Sequence, residues 1–203
     1  IDLIRFPWLK FGVDTPSSVV DFYLLTTYTF SRGKFLEARY KYKQKEKNST
    51  HPDLDDRLVL PYATHKLRLR YSHDHTGGWN FRTTVDLARY TEELSPAENG
   101  YMISQGIAYR GKGRLTGDAY LAWFDADTYN ARLYSYERNL LSTFYMPSFY
   151  GKGTRLAFSA KYQITSKLAF STRYFNRDTI GSGTEQIDGS SRLDLFTYLV
   201  WKF

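Results

Sequence analysis

The chain has 203 residues, a formal charge of +7, no cysteine, and an aromatic content of 18%, with Tyr 18, Phe 14 and Trp 4. Lack of cysteine excludes a disulfide scaffold and a thiolate metal site. No run approaches the roughly 20 apolar residues that a membrane helix needs, which excludes a helical membrane protein but not a membrane barrel. The positive balance suits an acidic partner such as nucleic acid, anionic lipid or a polyanionic glycan, without saying where the charge sits.

In chain order the dominant period is two. The chain opens at Ile1 with no signal-like segment, so a processed product or a fragment is expected. Val20, Phe22, Leu24, Thr26, Tyr28 and Phe30 oppose Asp21, Tyr23, Thr27 and Thr29; Leu36, Ala38, Tyr40 and Tyr42 oppose Glu37, Arg39, Lys41 and Lys43. Leu67, Leu69 and Tyr71 oppose Lys66, Arg68 and Arg70. Further strands are expected near 79 to 90, 101 to 109, 115 to 125 and 133 to 145, joined by polar or Gly-containing connections such as SRGK, HTGG and RGKG. Leu156, Phe158, Ala160, Tyr162 and Ile164 share a face, as do Leu168, Phe170, Thr172 and Tyr174, and Thr165-Ser166-Lys167 makes the pair a tight hairpin. The last strand puts Leu193, Leu195, Leu199, Trp201 and Phe203 on one face and Arg192, Asp194, Tyr198 and Lys202 on the other.

About ten strands and no helix result, in a single domain spanning 1 to 203. A soluble sandwich or lipocalin-like barrel would turn the apolar face inward. An antiparallel transmembrane β-barrel turns it to lipid, encloses the polar side chains, and uses strands of about 9 to 11 residues with aromatics at both interfaces. Here Tyr, Phe and Trp fall toward strand ends and Leu, Ala and Ile between them, which is the arrangement of a belt. The expected fold is therefore a transmembrane β-barrel of about ten strands, or the C-terminal part of a larger one, in a bacterial outer membrane.

That reading gives the final residue a role. Outer-membrane barrels commonly end on an aromatic with apolar residues at alternate positions before it, so Leu195, Leu199, Trp201 and Phe203 form the expected strand for the barrel assembly machinery. With Phe203 on the periplasmic side, counting backward puts 176 to 190, 146 to 153 and HTGG outside, and the turn at 165 to 167, the stretch 47 to 60 and ELSPAENG in the periplasm.

Three stretches carry a resemblance: RFPWLKFGVDTPSS, YERNLLSTFYMPSFYGKGTRLAFSAKY and RYFNRDTIGSGTEQIDGSSRLDLFTYLVWKF. The sharpest parts are Arg5-Phe6-Pro7-Trp8, Asp14, Pro16 to Ser18, Tyr136-Glu137-Arg138, Phe149 to Gly153 and Ile180-Gly181-Ser182-Gly183. Together they resemble the C-terminal barrel region of large Bacteroidota outer-membrane proteins with helix-hairpin-helix repeats. The resemblance implies an envelope location and more strands upstream. The helical repeats are absent here, so a nucleic-acid role attached to them does not carry over.

For chemistry, His73-Asp74-His75 is the best catalytic candidate, as a rim-located hydrolase in which an aspartate orients an imidazole. The acidic pair Asp55-Asp56 falls on the opposite side, and His73 with His75 lacks a third metal ligand. The Gly pairs at Gly111 and Gly113, Gly151 and Gly153, and Gly181 and Gly183 have no following helix and read as turns rather than phosphate cradles. No Gly-x-Ser-x-Gly elbow occurs. Neither catalytic residues, nor a metal, nor a cofactor is expected. The remaining signal is a basic inner face of Arg39, Lys41, Lys43, Lys66, Arg68, Arg70, Arg82, Arg155, Lys161, Arg173 and Lys202 against Glu37, Asp86, Asp118 and Asp194. In a wide barrel it would favour anions; in a narrow one it would form packed ion-pair networks. The expected role is a scaffold or accessory subunit of an envelope complex, contacting outer-membrane lipid and other envelope proteins. An anion-favouring pore is the alternative.

Overall fold

The computed structural model describes residues 1–49, 58–135, 146–180 and 191–201, and for 177–180 and 191 the backbone path alone. Its strands are β1 (Asp2–Phe6), β2 (Ser17–Ser31), β3 (Lys34–Asn48), β4 (Val59–His75), β5 (Trp79–Glu92), β6 (Glu98–Tyr109), β7 (Leu115–Ala126), β8 (Leu133–Tyr134), β9 (Ser148–Phe149), β10 (Gly151–Gln163), β11 (Leu168–Ile180) and β12 (Ser191–Trp201). Ten of them form one antiparallel sheet in the order β1-β2-β3-β4-β5-β6-β7-β10-β11-β12, and β8 and β9 form a separate two-stranded ribbon. No helix occurs among the described residues.

The sheet contains ten strands as expected, but its membership differs. The expected strand at 133 to 145 is not part of it: β7 hydrogen-bonds directly to β10, from Ala126 opposite Gly151 to Leu115 opposite Tyr162. No slot remains between them. Leu133 and Tyr134 instead pair with Phe149 and Ser148, and 136–145 lie outside the described residues. The tenth strand is β1, whose five residues pair with Ser17 to Asp21. Its adjacent Leu3 and Ile4 interrupt any alternation, so its sequence carries no period-two signal.

This exchange corrects the sidedness inferred from the chain. The connections at 32–33, 76–78, 110–114 and 164–167 lie at one end of the sheet, together with Trp201. The connection at 7–16, the one at 93–97, and the strand ends Asn48 and Val59, Ala126 and Gly151, and Ile180 and Ser191 lie at the other. HTGG therefore shares an end with the 165–167 turn instead of opposing it, while ELSPAENG and the strand ends Asn48 and Val59 share an end with Ile180 and Ser191. Counting 133–145 as a sheet strand inverts every strand before it. The short turns need special backbone: Gly78 sits at φ 88°, and its carbonyl accepts the Arg110 N–H at 2.7 Å. An added Cβ there would strike the Arg110 carbonyl.

The two faces differ sharply. Period-two geometry sends successive side chains to opposite sides, and on one side Leu195, Trp201 and Phe158 are 63%, 66% and 49% exposed. On the other, Arg155 and Arg173 are each 2% exposed and Asp86 5%. These apolar side chains are bare and these ionic ones covered, although Lys41 and Arg82 on the second face stay exposed. Along the bare face Phe30, Tyr71, Trp79, Phe81, Tyr109, Tyr162 and Phe170 line the short-turn end, while Phe22, Tyr42, Tyr101 and Trp123 fall toward the other, with Leu24, Tyr40, Leu69, Leu87, Ile103 and Leu156 between. Ring contacts tie each row together, as in Trp79 to Tyr109 at 4.8 Å and Tyr101 to Trp123 at 5.6 Å.

On the covered face the ribbon packs over β5, β6 and β7. Ala88, Met102, Ala122 and Phe124 from the sheet meet Leu133 and Phe149 from the ribbon. Phe124 and Phe149 are both fully buried with ring centroids 5.0 Å apart. Each such burial contributes about 1.5–3 kcal/mol, so this small core holds 127–135 and 146–150 against the strands. The approach is closest at Gly100, where a Cβ would collide with the Ala131 carbonyl. Among the described residues no strand pairs with the outer edge of β12, nor with β2 beyond Asp21, and the sheet is not closed.

Candidate anion-binding face

The basic residues singled out from the sequence share the covered face, because β3, β4, β10 and β11 each place them at alternate positions in register. Arg39 lies opposite Arg68 and Lys41 opposite Lys66, while Arg155 lies opposite Ala122 and Ser159 opposite Arg173. The face is a network. Arg68 Nε meets Asp86 Oδ1 at 2.5 Å, and Arg70 NH1 meets Glu37 Oε1 at 3.2 Å. Lys41 and Lys43 both reach Asp21 Oδ2, at 3.6 and 2.8 Å. Arg110 grips both oxygens of Asp118, at 2.7 and 2.6 Å. The Arg155 and Arg173 guanidiniums lie over the Phe175 ring, 4.2 and 5.3 Å from its centroid. Lys161 faces the same way from β10, opposite Ser171. Lys202 lies outside the described residues.

The ribbon segment joins this network through its backbone. Arg68 NH2 donates to the Tyr134 carbonyl and Lys66 Nζ to the Arg132 carbonyl, at 2.5 and 3.3 Å. From the other side Tyr120 donates its hydroxyl to Ser135 Oγ at 2.7 Å. One short segment is thus held from both β4 and β7.

Between β3, β4 and this segment lies a cavity of about 450 Å³ lined by Lys41, Lys43, Lys45, Lys47, Lys66, Tyr62, Thr64, Tyr90, Asn130 and Arg132. Its carboxylate neighbours are Asp21, already described, Glu92, which takes Lys47 Nζ at 2.8 Å and the Tyr90 hydroxyl at 2.8 Å, and Glu98, which accepts from Asn130 Nδ2 at 3.3 Å. Along β3 alternate side chains are about 7 Å apart, and at an effective dielectric of about 20 two like charges at that spacing repel by about 2 kcal/mol. Asp21 and Glu92 offset that repulsion for Lys41, Lys43 and Lys47, while Lys45 and Lys66 have no ion pair among the described residues, so the cavity keeps positive charge that an anion would neutralise. A second cavity, of about 230 Å³, is lined by Arg68, Arg70, Arg82, Ser104, Asp118, Tyr120 and other residues nearer the short turns.

Sequence reading stopped the second strand at Lys43 and so missed Lys45 and Lys47; the alternation in KYKQKEKN runs on to Asn48. Nothing local signals that Tyr62, Tyr90 and Arg132 converge on these lysines, because strand pairing and the ribbon bring them there.

The other candidates fall apart as sites. His73 and His75 project from the bare face with rings 5.9 Å apart, whereas Asp74 points to the covered face and accepts from Asn80 Nδ2 at 2.6 Å. Opposite faces keep the aspartate from orienting either imidazole. No group of three metal-ligating side chains occurs among the described residues. Asp55 and Asp56 lie outside those residues, as do Gly181 and Gly183. Gly111 and Gly113 fall in the turn after β6, and Gly151 and Gly153 open β10, so no helix N-terminus adjoins them. Leu195, Leu199 and Trp201 occupy the bare face of β12; Phe203 lies outside the described residues.

No protein-family model matches this chain, and no curated protein or solved structure matches it.

Proposed function

We propose that this sheet is the wall of a bacterial outer-membrane β-barrel, or of the C-terminal part of one. In this reading it serves as a scaffold or accessory subunit of an envelope assembly. The observation that carries the membrane part is the inversion of the faces, with Leu195, Trp201 and Phe158 bare and Arg155 and Arg173 covered. The girdle spacing supports it: Tyr101 and Tyr109 on β6 are eight residues apart, about 27 Å along the strand and about 21 Å along the normal at a tilt near 40°, close to the apolar band of such barrels. Short turns gathered at the end that holds Trp201, with long connections at the other, fit the same picture. An unpaired strand edge does not persist in hydrocarbon, so in the membrane β12 and the free part of β2 pair with one another or with further strands.

The scaffold role rests on the ribbon segment, which occupies the covered face through Leu133, Phe149 and the Arg68 and Lys66 bonds. The Bacteroidota resemblance supplies the envelope assembly, and the alternate apolar residues Leu195, Leu199 and Trp201 supply the assembly machinery as the partner of β12. Reconstitution into vesicles tests both parts. Brominated acyl chains quench the fluorescence of Trp79, Trp123 and Trp201, and single-channel recordings show no stable conductance. Unquenched tryptophans exclude the membrane placement. A steady anion-selective current favours the second reading, an anion-favouring pore, to which the cationic cavity gives its own support.

A further inference from the structure

We propose that the cavity between β3, β4 and the ribbon segment is a binding site for a soluble ligand carrying two or more phosphate groups. The phosphate assignment stands on the cavity alone, while the choice of a soluble ligand over a lipid headgroup rests on the membrane reading above. Five ammonium groups and one guanidinium line it, against the three carboxylates of Asp21, Glu92 and Glu98 beside it. Lys45 has no carboxylate partner among the described residues, and Lys66 donates only to the Arg132 carbonyl. Both retain donors for a ligand.

The type of cation selects the type of anion. Planar carboxylates are recognised best by the guanidinium fork, whereas ammonium groups act as point charges suited to phosphate oxygens from any direction. Arg132, the one guanidinium among the described lining residues, spends its Nε on the Tyr134 hydroxyl at 2.5 Å and an NH1 hydrogen on the Tyr129 carbonyl at 2.8 Å, so its Nε edge cannot present a two-pronged fork. Recognition falls to the lysines. Their spacing along β3, about 7 Å between alternate side chains, spreads the positive charge beyond the reach of one phosphate and calls for a ligand with several. Tyr62, half-buried and backed by the buried Tyr90 ring with centroids 5.6 Å apart, offers a ring surface to the sugar or base that links the phosphates. The cavity opens on the face opposite Leu67 and Leu87, away from any lipid held on the bare side, which favours a soluble ligand over a lipid headgroup.

Calorimetric titration of the purified full chain with tripolyphosphate, at constant ionic strength, tests this. The expected result is saturable binding, at least tenfold tighter than that of inorganic phosphate and of citrate at the same charge. Lys45→Gln combined with Lys66→Gln weakens it tenfold or more, and Lys45→Gln alone, which leaves the Lys66 bond to the Arg132 carbonyl in place, weakens it at least threefold without lowering the unfolding midpoint, because removing a like charge relieves repulsion. Lys161→Gln, on the same face but outside the cavity, leaves affinity within twofold. A parallel arm with phosphatidic acid vesicles separates the sources: soluble tripolyphosphate binding supports the proposal as stated, and lysine-dependent binding to vesicles alone overturns the soluble source. The site assignment is overturned by citrate binding as tightly as tripolyphosphate, by no saturable heat, or by a double variant that binds like the parent.

Discussion

Arg68 and Asp86 are direct partners across β4 and β5, and the guanidinium that meets the carboxylate also donates to the Tyr134 carbonyl of the ribbon. One side chain thus joins the sheet to the segment packed on it. Asp86 Oδ2 is buried without a hydrogen-bond partner among the described residues, so the carboxylate depends on Arg68 for its neutralisation. Removing one member of such a pair strands the other charge, whereas replacing both with apolar groups of similar size is often close to neutral. Asp86→Ala is expected to cost about 3–5 kcal/mol, and Arg68→Met with Asp86→Leu to recover most of that loss. Equilibrium unfolding in urea, followed by tryptophan fluorescence, reads both.

Gly100 marks the closest approach of the ribbon segment to β6. A methyl group there meets the Ala131 carbonyl, and a rigid backbone atom gives way less easily than a side chain. Gly100→Ala is expected to cost about 1–3 kcal/mol as an overpacked position and to displace 127–135 rather than the strand. Gly106→Ala on the same strand meets nothing nearer than 3.8 Å and is expected to stay within about 0.5 kcal/mol of the parent. Limited proteolysis distinguishes the two, with faster cleavage within 127–150 in Gly100→Ala alone.

The face of nearly every sheet residue was legible in the sequence, because parity along a strand decides it locally and a one-residue slip would invert the whole strand. Arg68, Arg155 and Lys161 needed only their neighbours to be placed. The ribbon was not legible. Leu133 and Tyr134 alternate no differently from the start of a sheet strand, and what draws them onto the covered face is a set of partners far along the chain, Lys66 and Arg68 for the backbone and Phe124 for Phe149. The lysine cavity falls between these cases: its floor on β3 was readable, but its Tyr90 wall and Arg132 roof exist only once β3, β4, β5 and the ribbon segment are assembled.

Phe149 anchors the ribbon to the sheet through Phe124. Truncating a fully buried phenylalanine removes its transfer free energy and leaves a cavity, so Phe149→Ala is expected to cost about 3–5 kcal/mol if ribbon and sheet unfold together. If the ribbon releases first, hydrogen exchange rises at Leu133, Tyr134 and Ser148 while β4 and β5 keep the protection of the parent. Exchange measured strand by strand decides between a cooperative unit and a detachable plug.

The membrane reading makes its sharpest prediction on β10, where Phe158 lies midway along the bare face and Tyr162 falls in the aromatic row near the short turns. In a bilayer an arginine on the lipid-facing side costs about 2–4 kcal/mol at the midplane and about 0–1 kcal/mol near the interface. In water the same face would accept arginine at either position within about 0.5 kcal/mol, apart from lost contacts. Phe158→Arg is therefore expected to destabilise the protein in vesicles by about 1–4 kcal/mol more than Tyr162→Arg, a difference that midplane depth alone supplies. The comparison is internal, since both side chains are about half exposed, on one strand and on one face. Denaturant titration of the two variants folded into vesicles reads the difference directly. Equal costs would mean that the bare face meets no gradient of polarity along its length, and the outer-membrane placement would fall with that result.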